Sequence, residues 1–125
     1  MHLKDFKITK KAEYQKLFSE ANKVISKYFI VLYQPPEPSE LRKFRYGITA
    51  SKKVGNAVER NRCKRIVRVL MKDICARAID ENINININVI ARKFVTGKSF
   101  SSIKSDFMFC LNKIFSNERR SIKDN

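Results

Sequence analysis

Residues 51–78, SKKVGNAVERNRCKRIVRVLMKDICARA, hold the longest helical pattern in the chain, and the rest must fold around it. Lys52 to Asn56 reads as a turn, and Asn56 with Glu59 three residues later makes an N-cap with a capping-box partner. Cys63, Ile66, Val67, Leu70, Met71 and Ile74 then recur at helical spacing and fill an arc of about 140° at 100° per residue. A stripe that long has to lie on another layer. The flanking residues supply one. Before it, Tyr46, Ile48 and Ala50 alternate with Arg45, Thr49 and Ser51, the period of a strand. After it, NINININVIA over 82–91 sets Ile83, Ile85, Ile87 and Val89 against Asn84, Asn86 and Asn88. Low-complexity disorder is the alternative there; the strict period of two favours a strand.

Further out, residues 28–33 (YFIVLY) are aromatic and aliphatic throughout and read as another strand. The following QPPEPSELRK is a loop, because Pro35, Pro36 and Pro38 break regular structure. Residues 9–20 read as a helix that Thr9 caps, with Tyr14, Leu17 and Phe18 on one side. Phe107, Leu111 and Ile114 mark a last amphipathic helix from about Ser101 to Phe115. The order is helix, two or three strands, helix, strand, helix: one mixed α/β sandwich over residues 1–125, with 1–8 and 117–125 expected to fray.

Composition limits the chemistry. The 125 residues carry 27 Lys plus Arg against 12 Asp plus Glu, a net charge of +15. A hydrophobic fraction of 43%, with nine Phe and four Tyr, is enough for a core. One histidine, His2, leaves no two-His metal motif and little scope for a Ser-His or Cys-His site. Cys63, Cys75 and Cys110 are odd in number and far apart, so they read as small buried thiols. Three glycines cannot make a Walker loop or a dinucleotide fingerprint. No stretch approaches the roughly 20 apolar residues of a membrane span. The N-terminal MHLKDFKITKK is charged where a secretion signal needs an apolar region. A cytoplasmic protein without a membrane partner is expected.

The charge has an address. Residues 51–72 hold eight Lys or Arg and one acid, Glu59. On the helix, Asn61, Arg65, Arg68 and Lys72 fall within about 60° of one another, opposite the apolar stripe. Arg62 and Lys64 flank them, and Arg60 drifts toward the apolar side. A solvated face is the ordinary meaning of such a pattern, but it normally interleaves both signs. Here like charges stand four apart, and Arg, whose planar fork suits phosphate, outnumbers Lys. The pattern points to nucleic acid. No helix-turn-helix, zinc finger or zipper is present to place the helix in a DNA groove. Tyr14, Phe18, Tyr28 and Tyr33 could stack on unpaired RNA bases. Core packing is the other reading, strongest for Phe18 and Tyr28, whereas the hydroxyls of Tyr14 and Tyr33 favour a wet edge.

The string SKKVGNAVERNRCKRIVR over 51–68 resembles the signature of the protein subunit of bacterial ribonuclease P. The resemblance takes in nearly the whole chain: the early Tyr14 and Phe18, the strand ending at Tyr33, Ile90-Ala91-Arg92-Lys93, and the last helix. Cys63, Met71, the proline-rich loop and the Asn-Ile strand depart from its usual pattern. The resemblance implies an α+β two-layer sandwich with one mixed four-stranded sheet, in the order α-β-β-β-α-β-α, and a left-handed crossover. It implies a partner, the catalytic RNA, which removes the 5′ leader of precursor tRNA using magnesium, with no catalytic or metal-binding residue on the protein. Arg60, Asn61, Arg62, Lys64, Arg65 and Arg68 would face that RNA and its substrate, with Lys72 extending the stripe. Tyr14, Phe18 and Tyr33, with Ser51, Lys52 and Lys53, would line a cleft for the single-stranded leader. Two rival classes remain. A ribosomal-type RNA binder shares size and charge, and a nuclease with its own metal would need clustered acids, of which Asp73, Asp80 and Glu81 are the nearest grouping.

Overall fold

The computed structural model describes residues 3–36 and 44–123. His2 and the loop residues 37–43 lie outside them. The elements are α1 (Lys11–Glu20), β1 (Asn22–Ile25), β2 (Phe29–Gln34), β3 (Arg45–Thr49), α2 (Ala57–Asp80), β4 (Asn86–Ala91) and α3 (Phe100–Lys123). Short 3-10 turns occupy Leu3–Phe6, Lys52–Val54 and Lys93–Val95. The order matches the expected α-β-β-β-α-β-α. The sheet runs β1-β2-β4-β3: β2 pairs antiparallel with β1 and β4, and β3 lies parallel to β4. Helix α2 makes the β3-to-β4 crossover, the connection expected to be left-handed.

Pairing sorts the strand side chains between two faces. Phe29, Val31, Tyr33, Tyr46, Ile87 and Val89 join the main core with α2 and α3. Within it, the Phe29 and Phe107 rings meet edge to face at 5.7 Å. The α2 stripe lands there as expected: Cys63, Val67, Leu70, Met71 and Ile74 are buried, and Ile66 is partly so. On the other face, Leu32 packs with Ile8 and Leu17 under α1. The hairpin between β1 and β2 is pinned from α3, whose Asp106 carboxylate accepts from the Tyr28 amide at 2.9 Å and from the Ser26 hydroxyl.

Several boundaries differ from the sequence reading, each for a local reason. Lys10, not Thr9, is the N-cap of α1, and it makes no side-chain cap bond. The segment expected to fray at 1–8 is held over Leu3–Ile8: Phe6 and Ile8 are buried, and the Ile8 amide donates to the Tyr46 carbonyl at 2.7 Å. The Asn-Ile run becomes a strand only at Asn86. Asn82, at φ 55°, ends α2 in the left-handed conformation Asn tolerates, while the Ile83 amide returns to the Ala78 carbonyl at 2.9 Å. Asn86 and Asn88 are buried, so the first part of β4 is covered on both faces. Helix α3 continues to Lys123 through the stretch expected to fray from 117. Asn117 donates to the Tyr33 hydroxyl at 3.4 Å, and Arg119 pairs with Glu81 just past the end of α2, so these polar residues have partners.

Candidate nucleic-acid interface

The basic surface starts in the turn before α2. The Ser51 hydroxyl accepts from the Lys53 amide at 3.3 Å and starts the 3-10 turn, which leaves Lys52 and Lys53 exposed. Gly55 then reverses the chain at φ 142°, a conformation that favours glycine; a Cβ there would stand 1.8 Å from the Glu59 carboxylate. The Asn56 side chain accepts from the Glu59 amide at 3.0 Å, the expected cap. With α2 oriented by its buried stripe, Asn61, Arg65, Arg68 and Lys72 face outward and are exposed. Arg60, Arg62 and Lys64 are half-buried. Arg62 also donates to the Lys98 carbonyl at 2.9 Å, which ties the helix to the segment before α3.

Tyr14 and Phe18 project from α1 beside β3, the edge strand that the Lys7–Ile8 segment bridges at Tyr46. Glu13, one residue earlier, pairs with Arg45 through two contacts, the longer at 3.1 Å, and so fixes α1 against the start of β3. Tyr14 lies directly on Gly47: a Cβ at that glycine would come within 2.4 Å of the ring. Its hydroxyl donates to the Ile8 carbonyl at 3.2 Å, and burial, helped by the neighbouring Glu13 charge, raises its pKa. Phe18 is 58% exposed, so it is not a core residue. Tyr14, Phe18, Ile48, Thr49, Ala50 and Lys64 line a hollow of about 490 Å³. The Thr49 hydroxyl is aimed by the buried Asn88, to whose side-chain oxygen it donates at 3.1 Å. A second hollow, of about 740 Å³, adjoins along the chain at Ser51 and includes Lys53, Ile30 and Ile90. Thr49 of the first hollow and Ile90 of the second are register partners on neighbouring strands.

Of the residues expected in the cleft, the structure brings together Tyr14 and Phe18, with Ser51 and Lys53 in the adjoining hollow. Lys52 is exposed on the same turn and lines neither. Tyr33 is a correction. It is 9% exposed and points to the opposite face of the sheet, with Phe29 and Val31. Strand alternation forces this, because Phe29 is held inward by Phe107, and residues 31 and 33 must follow it. Leu32 therefore occupies the α1 side at that end of β2. Tyr28 is half-buried and lies beside Lys27 and Phe94, away from Tyr14. Sequence reading missed Phe94, 48% exposed beside the second hollow; the signal was an aromatic directly after Arg92 and Lys93.

Cys63, Cys75 and Cys110 are buried free thiols. Burial raises the Cys63 and Cys110 thiols and pushes Cys75 up to about 12. Among the described residues no three His, Cys, Asp or Glu side chains converge to hold a metal ion, and no helix is long and apolar enough to cross a membrane. Cations and stacking rings are what the surface presents.

The expected two-layer sandwich is corrected to a sheet with helices on both faces, because α1 packs on the side opposite α2 and α3. Fold and surface together define a class, an α+β protein that offers a basic helix beside an aromatic cleft. The Ribonuclease P family model matches residues 3–115. A ribonuclease P protein component from Desulforapulum autotrophicum is 37% identical over 118 residues, covering 92% of this chain and 90% of the relative. One from Limosilactobacillus reuteri is 34% identical over 110 residues, covering 88% and 90%. The solved Staphylococcus aureus RNase P protein superposes with a TM-score of 0.69 at 28% identity, over 87% of this chain and 94% of that one. The chain belongs to the ribonuclease P protein family, the protein subunit of an endoribonuclease that processes the 5′ end of tRNA.

Proposed function

We propose that the chain binds the single-stranded 5′ leader of precursor tRNA in the cleft beside α1 and meets the catalytic RNA with the outer face of α2, in the cytoplasm. The RNA subunit, with magnesium, carries out hydrolysis; the protein's residues bind and orient. Tyr14 and Phe18 would stack on leader bases, and Lys64, Lys53 and the Ser51 turn would take its phosphates. Arg65, Arg68 and Lys72, with Asn61, would lie along the catalytic RNA, and Arg60 and Arg62 at its junction with the substrate. A leader contact exists in the precursor and is absent from the mature product. It therefore favours substrate over product without any protein group reaching the scissile bond.

The observation that carries this reading is the exposed Phe18 ring sharing one hollow with Tyr14 and with Lys64 of the basic helix. In the reconstituted holoenzyme, Phe18→Ala is expected to weaken precursor binding about tenfold, within the range for loss of one base–aromatic stack. Mature tRNA binding should stay unchanged. Equal losses for precursor and mature tRNA would refute the leader cleft. Precursor cleavage by the protein alone would favour the nuclease reading, and no effect of the protein on the catalytic RNA at low magnesium would favour the ribosomal-type binder.

A further inference from the structure

Beyond Tyr14 and Phe18 the sheet face leads to a second exposed ring. Phe94 sits on the Lys93–Val95 turn, 48% exposed, while its neighbour Val95 is buried and anchors the turn. The Val95 amide closes the turn on the Arg92 carbonyl at 3.0 Å, and the Thr96 hydroxyl bonds the Val54 carbonyl, so the platform is tied to the turn that carries Lys53. Arg92 and Lys93 lie 5.2 and 5.3 Å from the centre of the ring. The Arg92 guanidinium is itself held, donating to the Ser26 carbonyl at 2.6 Å.

Phe94 stands between two hollows. One is the hollow of about 740 Å³ that it shares with Ser51, Lys53, Ile30 and Ile90. The other, of about 580 Å³, is lined by Lys27, Tyr28, Arg92, Lys93 and Lys98. No acid lines either of them. An exposed ring with cations on both sides and no competing carboxylate has the chemistry of a base-stacking site with phosphate partners.

We propose that Phe94, with Lys27, Arg92, Lys93 and Lys98, forms a second stacking subsite for single-stranded RNA, which receives the stretch of leader running on past Tyr14 and Phe18. The inference rests on the leader-cleft reading above. The occupant is leader and not catalytic RNA because the hollow that Phe94 shares with Lys53 neighbours the cleft, Ile90 of the one pairing with Thr49 of the other, whereas the exposed stripe of α2 from Asn61 to Lys72 lines neither hollow.

The test is a leader-length series on the reconstituted holoenzyme, with precursors carrying leaders of about 2 and about 10 nucleotides. Phe94→Ala should weaken binding of the long-leader precursor about fivefold to tenfold and leave the short one unchanged. Phe94→Tyr should restore it, because stacking needs the ring and not its identity. Affinity for the catalytic RNA alone should not move. A loss with Phe18→Ala but none with Phe94→Ala overturns the second subsite only. An equal loss at both leader lengths, or a loss of catalytic-RNA affinity, also overturns it by assigning Phe94 to another contact. No loss from either variant overturns the leader cleft itself.

Discussion

The two faces of the sheet carry rings of the same kind for opposite ends. On the α2 and α3 side, Phe29, Phe107 and Phe115 are fully buried, and Phe107 meets Phe29 edge to face. On the α1 side the ten-residue helix covers only part of the sheet, and Phe18 and Phe94 remain about half exposed beside open hollows. A long helix closes a face and turns aromatics into stability. A short one leaves rings whose apolar surface stays available to a ligand. The difference predicts that substitutions of the same chemical kind should separate cleanly into stability effects and binding effects.

The largest effect belongs to the closed face. Phe107→Ala should cost about 3–5 kcal/mol in denaturant unfolding, from lost burial and the cavity left behind. Phe18→Ala should stay within about 0.5 kcal/mol, because that side chain is exposed. If the two substitutions cost the same stability, the contrast between the faces fails.

Tyr33 is the residue on which sequence and structure part. A tyrosine at the end of a strand invites a wet-edge reading, and residue type alone carried that expectation. Facing is a property of register, and the alternation Phe29, Val31, Tyr33 was present in the sequence as a competing signal. A smaller effect tests it. Tyr33→Phe should cost about 0.5–1.5 kcal/mol through the lost Asn117 bond and leave discrimination between precursor and mature tRNA intact. A selective loss of precursor binding would return Tyr33 to the cleft.

What was legible follows from length and periodicity. The α2 stripe and the flanking strands could be read because each repeats its pattern several times. Strand β1 could not: four residues with one buried side chain, Val24, carry no period. The segment before α1 and the end of α3 depended on tertiary partners, Ile8 on Tyr46 and Asn117 on Tyr33, which no local pattern encodes. Asn82 was hidden at the head of a repeat that becomes a strand from Asn86, so the stop of α2 and the start of β4 shared one motif. Phe94 was missed because one aromatic after two cations has no periodicity, and only the fold sets it beside Lys53.

The outer face of α2 should show almost no stability effect, and this sharpens the comparison by adding a surface that is neither core nor cleft. Arg65 and Arg68 are exposed, and the like charges around them repel in the free protein. Arg65→Ala with Arg68→Ala should therefore leave unfolding within about 0.5 kcal/mol. The same pair should weaken catalytic-RNA binding and lower the salt slope of log K by about 1.5, if each arginine neutralises one phosphate. Binding of a leader oligonucleotide to the free protein should keep its original slope, because neither Arg65 nor Arg68 is among the cations that line its path. An unchanged catalytic-RNA slope would remove the stripe from that interface. A matching drop in the oligonucleotide slope would mean that helix and cleft bind one continuous RNA path and not two partners.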